Sequence, residues 1–159
     1  AETMAAFGAL QKAGKIRHYG VSNLDMADMQ ELCNVPGGNA VAADQLLYNL
    51  TRRGIEWDLL PWLSERRVPV MAYSPIEQAR LLQDEKLAGF ARRHGMTPSQ
   101  AALAWLLAKD GVIVIPKTGR RERLKEKLGA LEHPLDAAQL AELDRLFPPP
   151  KAARALEML

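Results

Sequence analysis

The residues able to do chemistry lie in short clusters, each inside or directly after a run of apolar residues. Ser22-Asn23 follows Ile16–Val21, and Gln45 lies within the run from Ala40 to Tyr48. Tyr73-Ser74 closes the run that starts at Val68, and Lys117-Thr118 follows Val112–Ile115. Amides and hydroxyls both donate and accept hydrogen bonds, an aromatic ring stacks on a flat ligand, and lysine attracts anions. Taken singly, Ser, Asn and Thr in such places cap helices. Taken together with the aromatic and the lysine, the four clusters look like one ligand-facing rim.

A rim needs elements that bring its parts to the same side. Short apolar runs alternate here with amphipathic stretches, the pattern of strands and helices. Helices are expected over Ala1–Lys12, Asp25–Cys33, Ile55–Arg66, Asp84–His94, Thr97–Lys109, Arg120–Leu131 and Asp136–Leu146. The firmest start is Thr97-Pro98-Ser99-Gln100, a capping box with proline at the first helical position. Gly14, Pro36-Gly37-Gly38 and Gly95 act as breaks, and residues 148–159 read as an irregular tail. Four strands alternating with helices predict a parallel sheet, with ligands at the carboxyl ends of the strands. Two completions stay open on periodicity alone, an open doubly wound sheet and four units of a (β/α)8 barrel. A whole barrel takes roughly 250 residues, so four strands would be half of one.

Composition narrows the class. The 159 residues suffice for a single domain spanning 1–159 with a sizeable core. With 48 % hydrophobic and 25 % charged residues the chain falls among globular proteins rather than disordered ones. A net charge of +2, with its basic residues dispersed, gives no reason to expect nucleic acid. Cys33 is the one cysteine, which fits a reducing cytoplasm and no disulfide framework. No apolar run nears the roughly 18 to 20 residues that span a bilayer, and no signal peptide is expected from the first residues. The chain opens within a helical pattern without an initiator methionine, so a trimmed or cleaved product is an expectation to carry forward.

Longer motifs point to a family. Gly14-Lys-Ile-Arg-His-Tyr-Gly-Val-Ser-Asn23, Asp44-Gln45, Met71-Ala-Tyr-Ser-Pro75, Gln100-Ala-Ala-Leu-Ala-Trp-Leu-Leu107 and Val114-Ile-Pro-Lys117 resemble aldo-keto reductase motifs, in order and spacing. The Pro36-Gly37-Gly38-Asn39 turn, Arg53-Gly54-Ile55-Glu56 and the Pro-Pro-Pro-Lys151 tail are similar to bacterial methylglyoxal-reducing members.

The resemblance implies an α/β fold of four parallel βα units, the C-terminal half of a (β/α)8 TIM barrel, and NADP(H) as cofactor. It implies that Ser22, Asn23 and Gln45 bond the nicotinamide carboxamide and that Tyr73 stacks on the ring. Ser74 would face the pyrophosphate. Lys117, Thr118 and Arg123 would surround the 2′-phosphate at a helix start, where free N–H groups favour anions. Arg120, Arg121, Lys125 and Lys127 are read as a solvated charge run.

Two positions depart from the family pattern. Lys127 stands where asparagine is frequent near the adenine, and its charge would help the phosphate. Glu77 stands where alanine or glycine is usual. A carboxylate there would repel the pyrophosphate unless it points away or pairs with Arg80.

The family's tyrosine, lysine, aspartate and histidine of proton transfer belong to the other half of the barrel, so no catalytic residue and no metal are expected here. Tyr19, Tyr48, His18, His94, His133 and Cys33 are read as structural. The expectation is the cofactor-binding half of an enzyme that reduces small aldehydes or ketones, inactive alone. Its bare sheet edges would pair with the other half-barrel or with a second copy in a dimer. The alternative is a self-associating scaffold without activity.

Overall fold

A computed structural model describes residues 1–159, and its sheet decides between the two completions. Four strands, β1 (Val21–Ser22), β2 (Asp44–Leu47), β3 (Val70–Tyr73) and β4 (Val112–Val114), pair in parallel in the order β1-β2-β3-β4. A doubly wound sheet reverses its strand order at a switch point. This order never reverses. The register sets Ser22, Gln45, Met71 and Ile113 in one row across the sheet. On the face opposite that row, Leu46, Val70 and Ala72 are fully buried, while Gln45 and Met71 are half-buried and Ile113 is exposed. One face is therefore packed by helices and the other is open, as in a segment of a (β/α)8 barrel.

The helices are α1 (Glu2–Lys12), α2 (Met26–Cys33), α3 (Leu59–Glu65), α4 (Glu85–Arg93), α5 (Pro98–Leu107), α6 (Arg121–Leu128) and α7 (Ala137–Leu146). Local chemistry starts them. Asp25 and Asp136 close capping boxes at α2 and α7, and the predicted Thr97–Gln100 box opens α5. Each such cap is worth about 1 kcal/mol. The α5 face carrying Ala101, Ala102 and Trp105 fills the core beside Leu63, Leu87, Phe90 and Leu143. Tyr48 lies against Trp105 with ring centroids 5.3 Å apart.

Four boundaries differ from expectation, the run Ala40–Tyr48 forming a strand only over Asp44–Leu47. The run from Ile16 becomes a strand only at Val21, because β1 pairs on one side alone. Gly20 lets the chain approach β2 there, since a Cβ would stand 2.7 Å from the Ala43 carbonyl oxygen. The expected helix Ile55–Arg66 divides into a 3-10 turn at Gly54–Glu56 and α3, with Asp58 capping Leu59. Proline 61 then sits in the first turn, where its missing N–H costs nothing. The basic helix ends at Leu128 and continues as a 3-10 turn to Glu132. Residues 148–159 form neither helix nor strand.

Candidate functional site

The carboxyl ends of β1, β2 and β3 bring four of the expected site residues into one bonded group. The Ser22 hydroxyl donates to the Gln45 carbonyl at 2.9 Å, and the Asn23 backbone N–H donates to the same carbonyl at 3.0 Å. Asn23 holds φ +56°, a conformation asparagine tolerates better than most residues. That turn aims its side-chain oxygen at the Tyr73 hydroxyl, which donates to it at 3.1 Å. The Gln45 amide nitrogen lies 3.1 Å from the Met71 sulfur, a weak acceptor. The Asn23 amide N–H groups and the Gln45 amide oxygen have no protein partner. This end therefore offers fixed donors and an acceptor to a ligand amide beside a half-buried aromatic ring.

The other expected residues line a groove of about 790 Å³ between the loop after β3 and the start of α6. Ser74, Pro75 and Ile76 form one wall, and Lys117, Thr118 and Arg123 the other. Lys117 and Arg123 are exposed and make no ion pair. Lys127 corrects its reading as a member of a solvated run. It is buried, lines the same groove, and donates from Nζ to the Lys117 carbonyl at 2.8 Å. Burial pushes its pKa down, Arg123 adds to that, and Glu126 opposes it. The ammonium thus props the loop that presents Lys117.

Two groove residues carry no signal in the sequence. Ser99, in the first turn of α5, is buried with its hydroxyl unpartnered. Glu126 also lines the groove and accepts from the Thr97 hydroxyl at 2.7 Å. An unpaired buried hydroxyl beside free cations fits a phosphorylated, polar ligand better than an apolar one.

Glu77 resolves differently from either expected route alone. It points away from the groove into the protein, and its partner is Arg52 rather than Arg80. Arg52 Nε and Nη2 reach one Glu77 oxygen at 3.0 and 2.9 Å, and the Asn49 amide donates to the other at 2.8 Å. Arg80 instead donates to Gln78. Burial raises the Glu77 carboxyl, but the Arg52 and Asn49 hydrogen bonds outweigh it and hold it below the usual range. Asn49 is fully buried, and its amide also donates to the Ser74 carbonyl at 3.0 Å. Its oxygen accepts from the Thr51 and Arg52 backbone N–H groups. One buried asparagine just beyond β2 thus anchors the groove wall.

Among the remaining polar groups, Tyr19, Tyr48 and His94 have structural partners. The Tyr19 hydroxyl donates to the Gly37 carbonyl, and Tyr48 donates to Glu56 at 2.6 Å. Burial and Glu56 both push Tyr48 upward, away from any proton-donor role near neutrality. His94 lies between Glu142 and Gln139, linking α4 to α7. His18 is exposed in a loop rather than within a strand, and His133 is half-buried beyond a turn. Asp44 is fully buried with both carboxyl oxygens unpartnered. Burial raises its pKa to about 7, with Asp28 adding to the effect and the nearby Leu24 backbone drawing it back. No three metal-capable side chains cluster, and no helix is long and apolar enough to cross a membrane.

A sequential parallel sheet with one open face and a polar rim at its carboxyl ends defines half of a (β/α)8 barrel. The chain belongs to the aldo/keto reductase family, whose model matches residues 1–147. It is 46 % identical to methylglyoxal reductase YeaE of Escherichia coli K12 across 99 % of this chain and 57 % of that protein. Methylglyoxal reductase DkgB of Escherichia coli O157:H7 is 30 % identical across 86 % of this chain and 50 % of its own length. An aldo-keto reductase from Klebsiella pneumoniae, solved in complex with NADPH, superposes with a TM-score of 0.95 at 44 % identity. That match covers 99 % of this chain and 57 % of the Klebsiella chain. The chain therefore spans about half the length of the relatives it matches.

Proposed function

We propose that the chain is the NADP(H)-binding half of an aldo/keto reductase that reduces small aldehydes or ketones, methylglyoxal being the first substrate to try. The observation that carries this reading is the groove lined by Lys117, Arg123 and Lys127, none of them in a salt bridge and with Glu126 the one carboxylate among them, beside the unpaired Ser99 hydroxyl. Lys117, Thr118 and Arg123 would hold the 2′-phosphate, with Lys127 bracing their loop. Ser74 would face the pyrophosphate. Ser22, Asn23 and Gln45 would fix the carboxamide, and the Tyr73 ring would press on one face of the nicotinamide and so select the other for reaction. When bound, the nicotinamide supplies the hydride. This chain's residues orient the cofactor and exclude water from one of its faces.

Proton transfer belongs to a group outside these four βα units, since Tyr19, Tyr48 and His94 are hydrogen-bonded within the body of the protein. The chain alone is then inactive, and its partner is the other half-barrel or a second copy closing the open edges. A cytoplasmic location and freedom from nucleic acid and membrane fit this reading. The exposed Ile113 on the open face favours a second one, a self-associating scaffold. Fluorescence titration with NADPH separates them. Micromolar binding that weakens at least tenfold in Lys117→Ala supports the cofactor half, whereas no binding at millimolar NADPH leaves the scaffold.

A further inference from the structure

The C-terminal tail is held to the protein by side chains alone. Residues 148–159 make no backbone hydrogen bond to the body of the protein. Leu156 packs against the core, and the tail's single ion pair joins Glu157 to Arg52 Nη1 at 2.6 Å. The other nitrogens of the same guanidinium, Nε and Nη2, hold Glu77. Glu77 opens a run of three residues, Glu77, Gln78 and Ala79, at φ +48°, +52° and +72°. None is glycine, so the loop keeps this backbone only because contacts over-determine it. Ser74, Ile76, Gln78 and Ala79 of that loop form the wall of the groove facing Lys117 and Arg123. Tail, guanidinium, strained loop and groove thus form one unbroken chain of contacts.

We propose that Arg52 is a positioning residue that latches the C-terminal tail to the groove wall through the Glu157–Arg52–Glu77 bridge, so that tail and groove order together. This rests on the reading of the groove as a nucleotide site. The device needs a planar fork, because one side chain must meet two carboxylates from different directions. Lysine's three N–H donors share one nitrogen on a flexible stem, so both carboxylates would have to be drawn to a single point and would be held less rigidly. Glu77, unexplained as a neighbour of phosphate, has a purpose here as the inner anchor. The linkage is reciprocal: a nucleotide that steadies the wall steadies the tail, and loss of the tail loosens the wall.

Two readouts on the purified protein without nucleotide test the latch. Tryptic cleavage after Arg154 reports the tail, and hydrogen exchange at the Glu77 and Ala79 amides reports the wall. Both amides are hydrogen-bonded, to Ser74 and Ile76 respectively. In Glu157→Gln, cleavage should quicken about tenfold and the two amides should exchange at least about threefold faster, with α4 and α5 unchanged. Arg52→Lys should act like Glu157→Gln. A chain ending at Lys151 should show the same faster exchange at the wall. Saturating NADP⁺ should slow cleavage after Arg154 in the parent protein and much less in Glu157→Gln.

Unchanged exchange at Glu77 and Ala79 in both Glu157→Gln and the shortened chain would overturn the latch. So would parental behaviour of Arg52→Lys. Should Arg52→Lys fail to fold, the mild Glu157→Gln change still decides. Should NADP⁺ not bind the parent protein, the nucleotide reading fails, while the exchange and cleavage rates still decide the latch.

Discussion

The strand-end surface has two regions, and they differ in whether their polar groups already have partners. Around β1, β2 and β3, the Ser22 hydroxyl, the Asn23 oxygen and the Tyr73 hydroxyl bond one another or the backbone. In the groove, Lys117 and Arg123 have no ion-pair partner and the Ser99 hydroxyl no acceptor. The first region is pre-organised, its geometry set before any ligand arrives, which favours orientation over affinity. The second holds charge in reserve, so affinity should come chiefly from there. Behind both stands Asn49, which ties the Ser74 carbonyl, Glu77 and the Thr51–Arg52 turn together.

Substitutions should divide along the same line. Asn49→Ala leaves the Ser74 carbonyl, one Glu77 oxygen and two backbone N–H groups without their partner. It should cost about 3 kcal/mol in thermal or urea unfolding, and a loss below about 1 kcal/mol would show that the wall has other support. In the groove, Arg123→Ala should weaken NADPH about tenfold in a fluorescence titration while scarcely touching NADH. Equal loss for both cofactors would mean that Arg123 does not meet the 2′-phosphate.

Asp44→Asn probes the pre-organised side through pH. The Asp44 carboxyl is raised to about 7 from 3.8, so its contribution to stability is fully present below about 3.8 and lost as pH rises through about 7. The asparagine variant should match the parent near pH 4 and exceed it by about 2 kcal/mol at pH 8, measured by urea unfolding. A gain that is the same at both pH values would remove the ionisation argument. Smallest of all, Tyr73→Phe should lose about 1 kcal/mol of stability with the Asn23 hydrogen bond gone. Its NADPH affinity should change less than twofold, because the ring, not the hydroxyl, would face the nicotinamide.

Much of this was legible in the sequence, and the residues show why. The capping box at Thr97–Gln100 depends on neighbours within one turn, and the structure has it as read. The four apolar runs became the four strands, because short apolar runs between turn signals leave few other choices. Long-range partners were not legible. Nothing local shows that Glu77 would turn inward to Arg52, that Lys127 would fold back onto Lys117, or that Ser99 would be left unpaired. Those facts depend on which loops the sheet brings together. The choice between an open sheet and a barrel segment also needed the observed order β1-β2-β3-β4. Ile16–Val21 overstated its strand because an edge strand paired on one side frays where its neighbour's ladder stops.

The central claim is that a charged groove between Ser74 and Arg123 recognises the 2′-phosphate end of NADP(H). Isothermal titration of the purified protein with 2′,5′-ADP and, separately, with 5′-AMP isolates that end from the nicotinamide. Micromolar binding of 2′,5′-ADP and at least tenfold weaker binding of 5′-AMP are expected. Equal affinity for the two, or no heat from either at millimolar ligand, would contradict that claim.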